Sequence, residues 1–169
     1  VRLSWATQFG REVEVAHYGM LGGCLGYGVS AFYAGQNGFM RNVHTGNRSE
    51  QADEAGGKVR LMYRPTNRLS FDFIADYQYV HQNAFPYGQL DATTSIANDP
   101  NTTFDNRYIR HVFNTGLTAH YIGSTYEFTS TTSYQYLRDN MLMDQDYLPL
   151  DMMRLNERQL QNALTQELM

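Results

Sequence analysis

The chain has 169 residues and a net charge of −4, with 42% apolar and 14% aromatic residues, yet its mean hydropathy is −0.51. That length permits one sizeable domain, and the lack of any Lys/Arg run removes the electrostatic footprint of a nucleic-acid binder, so no nucleic-acid partner is expected. Thirteen Tyr and nine Phe amid so polar a remainder suit strands with one apolar face and one wet face.

The first stretch, VRLSWATQF (1–9), sets Val1, Leu3, Trp5, Thr7 and Phe9 against Arg2, Ser4, Ala6 and Gln8. Spacing by two sends successive side chains to opposite faces of a strand and scatters them around a helix. After a turn at Gly10, EVEVAHYG (12–19) alternates Val13, Val15 and His17 with Glu12, Glu14 and Ala16. GGCLGYGVSAFYAGQ (22–36) follows, with Leu25, Tyr27, Val29, Ala31 and Tyr33 on one face and the small residues Cys24, Gly26, Gly28 and Ser30 on the other. Small residues on that face let another element approach closely.

KVRLMYR (58–64) alternates Val59, Leu61 and Tyr63 with Lys58, Arg60, Met62 and Arg64, and PTN (65–67) is turn chemistry. RLSFDFIADYQYV (68–80) then places Leu69, Phe71, Phe73, Ala75, Tyr77 and Tyr79 on one face. Strands of soluble domains cluster at about 5–6 residues, whereas a tilted membrane-spanning strand needs roughly 9–11. HVFNTGLTAHY (111–121) and TYEFTSTTSYQYL (125–137) flank a tight IGS turn at 122–124. A last strand is expected from about Gln159 to Met169, with a helix over 152–169 as the competing assignment for that segment.

The expected fold is therefore all-β: an antiparallel up-and-down meander of about eight strands, with 1–169 as a single segment. Connections at 21–23, 65–67 and 122–124 are tight, while those at 37–56, 81–106 and 138–158 are long and rich in Asn, Asp, Gly and Pro. Compact soluble domains rarely hold several such loops. Outer-membrane barrels do, with short turns on one side and long loops on the other. No run of 18 apolar residues is present, which excludes a spanning helix and leaves a spanning barrel open. The chain begins at Val1 already in strand-like alternation, without a signal peptide, and reads as a piece of something longer.

Chemistry-bearing motifs are few. The lone Cys24 has no partner for a disulfide and reads as a small buried or lipid-facing residue. His17, His44, His81, His111 and His120 lack ligand spacing, and no HExxH, GxSxG, P-loop or GxGxxG pattern occurs. His44 and Ser49 share a loop with Asp53, but a triad is recognised by geometry, not proximity in sequence. NRS (47–49) and NTT (101–103) match the glycosylation pattern and read as loop residues. Asp91, Asp99, Asp105, Asp139, Asp144 and Asp146 are the acidic positions able to meet a cation or cationic ligand, against the simpler reading of solvated loop charge. No catalytic, metal or cofactor-binding residue is assigned, and no enzyme activity is expected.

Four stretches in order carry a resemblance. GQNGFMRNVHTG (35–46) supplies Gly38, Phe39, Asn42, Thr45 and Gly46, and the turn after it Tyr63, Pro65, Thr66 and Asn67. TSTTSYQY (129–136) and TQELM (165–169) complete the series. Together they resemble the barrel of TonB-dependent outer-membrane receptors, with Tyr63 where Trp is usual and Asn37 where Asp is common. That resemblance implies about the first third of a barrel of roughly 22 strands in the bacterial outer membrane. Its partners would be outer-membrane lipid, the TonB complex acting through a plug domain that is not in this sequence, and an iron–siderophore, haem, cobalamin or sugar ligand. In isolation such a segment is expected to form a curved open sheet. The alternative is a complete small eight-stranded barrel with a structural or adhesive role. On either reading Leu61, Tyr63, Leu69, Phe71, Phe73, Tyr126 and Phe128 should share one surface, opposite Arg60, Asp72, Asp76 and Glu127.

Overall fold

A computed structural model describes residues 1–169 and contains strands and no helix. The strands are β1 (Arg2–Ala6), β2 (Gly10–Leu21), β3 (Leu25–Gln36), β4 (Ala52–Thr66), β5 (Leu69–Asn83), β6 (Leu90–Asp91), β7 (Ile96–Ala97), β8 (Arg107–Ile122), β9 (Glu127–Asp144) and β10 (Arg154–Leu168). Eight of them form one sheet in the order β1-β2-β3-β4-β5-β8-β9-β10, every pair antiparallel, while β6 and β7 make a small separate hairpin. Because β1 and β10 pair with one neighbour each, the sheet is open.

Most strands run beyond their alternating cores. β4 starts at Ala52 rather than 58, β8 at Arg107 rather than 111, and β9 continues to Asp144 rather than 137. Gly10 is the first residue of β2, and the turn before it is Thr7–Phe9, with Gln8 and Phe9 at φ values of 58° and 54°. Gly10 N–H closes that turn by donating to Thr7 O at 3.1 Å. The segment assigned ambiguously to strand or helix is strand from Arg154 to Leu168, paired with β9 along its full length. Asp139 falls inside β9, not in a loop. A β6–β7 hairpin interrupts the second long connection, closed by Asp91, whose carboxylate accepts from Thr93 N at 2.7 Å and Thr94 N at 3.2 Å.

Register divides the sheet into two faces, since residues directly opposite one another share a side. One face carries Leu61 opposite Phe73, Tyr63 opposite Phe71, and Tyr121 between Leu69 and Phe128. Tyr126 joins this group through its ring, 6.0 Å from that of Tyr121. Arg60, Asp72, Asp76 and Glu127 fall on the other face, as expected. From the register of Val15, Ala31, Gly57, Tyr77, Phe113 and Tyr136 to that of Leu21, Leu25, Tyr63, Phe71, Ala119 and Ser130, the first face has no Asp, Glu, Lys or Arg. Toward β10 it becomes more polar: Tyr134 donates to Asn162 at 2.7 Å, and Thr132 bonds Gln166.

The second face is a ladder of polar side chains. Arg60 and Asp72 form an ion pair between β4 and β5. Gln135 donates to Asn114, and Asn114 to Asp76, both at 2.8 Å. Arg110 grips Asp139 through two bonds of 3.0 and 3.1 Å, and Tyr108 adds a third. Of the small residues of β3 on this face, Gly26 is closely approached: a side chain there would meet Met62 at 3.2 Å and Met20 at 3.3 Å, whereas at Gly28 it would meet nothing nearer than Tyr18 at 3.9 Å. Few residues are buried, and Val80, Ala84 and Met143 are the apolar ones among them that form a core. A single sheet with both faces exposed has no interior of its own, so its apolar face requires a non-aqueous neighbour.

Candidate functional site: the loop cluster

Three long connections, 37–51, 84–106 and 145–153, emerge from the same end of the sheet. The first two are tied to each other, and to the end of β9, by buried polar groups rather than by an apolar core. Asn42, only 2% exposed, is the hub. Its Nδ2 donates to Thr102 O at 2.9 Å and Thr102 Oγ1 at 2.7 Å, and its Oδ1 accepts from His44 N, Thr45 N and Thr102 N at 3.0, 3.4 and 3.2 Å. Gly46, at φ 73°, returns its N–H to Asn42 O at 2.8 Å, closing the turn. That positive φ is a conformation side-chain-bearing residues rarely adopt.

Asp105 and Asp144 extend the network. Asp105 accepts from Thr45 Oγ1 at 2.7 Å and Asn47 Nδ2 at 2.6 Å. Asp144, 1% exposed, accepts from Thr103 N and Oγ1, both at 3.0 Å, through one oxygen, while its other oxygen is buried without a protein partner. Asn106 bridges Phe85 O and Asp144 N. Between the loops lies a cavity of about 10 Å³ lined by Asn42, Ser49, Phe85, Thr102, Asp105 and Asn106. That is room for at most about one water, so no ligand fits inside the cluster.

The third loop is organised by Asp146, which accepts from Leu148 N at 2.8 Å, Met152 N at 3.1 Å and Met153 N at 2.9 Å. Desolvation pushes its carboxyl up, and the N–H donors of Met153, Leu148 and Met152 outweigh this, leaving it below the ordinary carboxylate range. Asp91 is also lowered, by the backbone N–H groups of Thr93 and then Thr94.

The larger open space lies on the outside of the cluster. On the polar side, Gln36, Ala52 and Gln82 share one register. With Glu50, Phe85 and Tyr87 they line an open hollow of about 300 Å³. Tyr87 also meets Tyr147 edge-on, at 5.8 Å between ring centroids, which joins the second and third loops by an aromatic contact.

The other candidate residues are dispersed. Asp53 is engaged by Arg11 and Tyr33 on the apolar face, and Ser49 Oγ is buried without a partner, so His44, Ser49 and Asp53 form no hydrogen-bonded triad. Asp99 is exposed, and nowhere do three or more His, Cys, Asp or Glu gather in a way that would hold a metal ion. Asn106 was not singled out from the sequence, and Thr102 stood only within the NTT pattern, because their partners lie far along the chain. Asn42 stood only within the resembling motif.

Comparison of the chain with protein-family models, with curated proteins and with solved structures finds no match.

Proposed function

We propose that the chain is a wall segment of a larger outer-membrane β-barrel, of the TonB-dependent receptor kind, that takes up an iron–siderophore or a related scarce nutrient. The observation that carries this reading is the charge-free band of the sheet between the Tyr77 and Leu69 registers, set back to back with a ladder of polar side chains. From Tyr77 to Leu69 the strand advances roughly 26 Å at about 3.3 Å per residue. At the roughly 40° tilt of outer-membrane strands this is about 20 Å of depth, close to the ~25 Å apolar band of such barrels.

Aromatic side chains border the band at both ends. Tyr63, Phe71, Tyr121, Tyr126 and Phe128 lie toward the tight turns, and Tyr33, Tyr77, Tyr79 and Tyr136 toward the long loops. Their amphipathic rings suit the two headgroup levels. Strands satisfy their backbone in lipid only when paired, and the polar ladder is then the water-filled or plug-filled interior. The hollow beside Glu50, Gln82 and Tyr87 is where a nutrient entering from outside would meet this segment. The order of the resembling motifs supports the receptor class over a small barrel, and β1, which pairs along Arg2–Ala6 only, offers little to close against β10.

The test is depth-dependent quenching by brominated lipids of a dye attached at Phe73→Cys or at Asp72→Cys, both in a Cys24→Ser background. Strong quenching at position 73 and weak quenching at 72 is expected, and equal quenching overturns the wall reading. Binding of ferric siderophores, haem, cobalamin and oligosaccharides to the detergent-folded chain, with Tyr87→Ala as the comparison, tests the ligand class.

A further inference from the structure

Three exposed arginines stand on the apolar face at its loop end: Arg107, Arg138 and Arg158. Arg138 lies opposite His111 and Leu160, and Arg158 lies opposite Asn140, so Arg138 and Arg158 are diagonal neighbours on adjacent strands. Diagonal neighbours are roughly 7–8 Å apart, within joint reach of one ligand group. Arg107 stands on the same side of β8, two strands from Arg158.

What separates these arginines from Arg11 and Arg154, the other arginines of this face, is the lack of a counter-charge. Arg2, Arg11, Arg60, Arg110 and Arg154 are each ion-paired. Arg107, Arg138 and Arg158 have no carboxylate within ion-pair distance, although the chain as a whole carries a net charge of −4. The strand carboxylates of this face are committed elsewhere, Asp53 to Arg11 and Tyr33, and Asp144 to Thr103. A hollow of about 320 Å³ opens around Tyr136, Arg138, Asn140, Arg158 and Leu160, with Gln159 and Asp139 at its edge, the Asp139 carboxylate being held by Arg110.

We propose that Arg138 and Arg158, with Arg107 farther out on the same face, form a docking site in which the first two hold the phosphate of a phosphorylated lipid headgroup in the leaflet facing the long loops. The proposal rests on the barrel-wall reading. Unpaired guanidinium groups at headgroup level, just beyond an apolar band, match an anionic headgroup in charge and match phosphate in fork geometry. Tyr134, Tyr136, Leu160 and Leu164 continue the face directly below them. Acyl chains attached to the phosphate would lie there, which favours a lipid over free phosphate.

The experiment measures binding of a fluorescent diphosphorylated glycolipid, and of its dephosphorylated form, to the whole chain folded in neutral detergent. Each basic residue at a membrane surface contributes about 1 kcal/mol, or roughly fivefold in affinity. The pair Arg138→Gln with Arg158→Gln should therefore weaken binding of the phosphorylated lipid by roughly 25-fold, Arg2→Gln should leave it unchanged, and Arg138→Lys with Arg158→Lys should retain most of it. Should the Gln pair fail to fold, the Lys pair and a salt titration of the unaltered chain carry the test, with affinity falling as salt rises. Equal binding of the dephosphorylated lipid, or a Gln pair as tight as the parent, overturns the proposal. So does inorganic pyrophosphate binding as tightly as the lipid, which would make this a free-phosphate site. Quenching at position 73 by brominated lipid reports the wall reading separately: if it persists while headgroup selectivity is absent, only the arginine site falls.

Discussion

Asn42 and Thr102 are 60 residues apart in sequence and joined by three hydrogen bonds, two donated by the Asn42 amide and one returned by Thr102 N–H. The first and second long loops are thereby one structural unit. Asn42→Ala leaves these buried groups without partners, at about 1–3 kcal/mol for each one left unsatisfied. The expected outcome is a local one. Hydrogen exchange should quicken at Val43, Thr45 and Thr102, while the β4 and β5 amides stay protected.

Phe73→Arg places a charge in the middle of the uncharged band, opposite Leu61 and Leu117. In lipid it should cost about 2–4 kcal/mol. Gln78→Arg, on the polar face opposite Gly56 and Val112, should cost less than about 1 kcal/mol. Equilibrium unfolding from vesicles measures both, and similar costs at the two positions contradict a lipid-facing surface.

Arg60 and Asp72 pair on the polar face with side chains 52% and 37% exposed. Ion pairs so open to water contribute about 0–1 kcal/mol. Arg60→Gln should accordingly leave the unfolding midpoint nearly unchanged at moderate salt.

Asp146 is held below the ordinary carboxylate range in the folded loop. A lowered folded value means that its contribution is fully present at neutral pH, above its unfolded value, and is lost as pH falls through the lower folded value, that is, below about pH 4. Exchange protection of the Leu148, Met152 and Met153 amides should collapse in that acid range. In Asp146→Asn the same amides should already be less protected at pH 7, with little further change on acidification.

The outer strands β1 and β10 each leave one side of their backbone unpaired in the sheet. Long unprotected edges template association. Expressed alone, the chain should require detergent or sediment as aggregates, and should confer no ligand uptake on cells. A monodisperse, detergent-free monomer in analytical ultracentrifugation would contradict this.

Residues 69–79 were legible in the sequence because period-two alternation with aromatics is a local signal, and the pairing of β4 with β5 followed from the short turn between them. The start of β4 was not. Ala52–Gly57 is made of residues with weak strand preference, and it pairs because β3 and β5 flank it, with Phe32 lying over Gly56, where an added side chain would meet the ring at 2.5 Å. The extension of β9 through Arg138–Asp144 is likewise set by its neighbours, with Arg110 on Asp139 and β10 alongside. The loop cluster was hidden for a different reason: Asn42 with Thr102 and Thr103 with Asp144 are contacts between residues far apart in sequence, and no periodicity announces them. The existence of the tight turn between β4 and β5 was readable from Pro65, Thr66 and Asn67, but it falls at Asn67–Arg68, with Pro65 and Thr66 ending β4 and Thr66 Oγ1 accepting from Arg68 N and Leu69 N.

Within the main sheet each strand contacts only its immediate neighbours. Mechanically the wall is a one-dimensional chain of hairpins, in which a disturbance at one strand is felt by the two beside it and fades beyond them. Parity follows from the same arrangement. Removing or adding a whole hairpin, such as β4 with β5, leaves the following strand running in its original direction with its original face outward. Removing a single strand reverses every later one and exchanges loop end for turn end. The circumference of such a wall can therefore change by hairpins in steps of two without redesign of any remaining strand, whereas a change by one strand disrupts the whole.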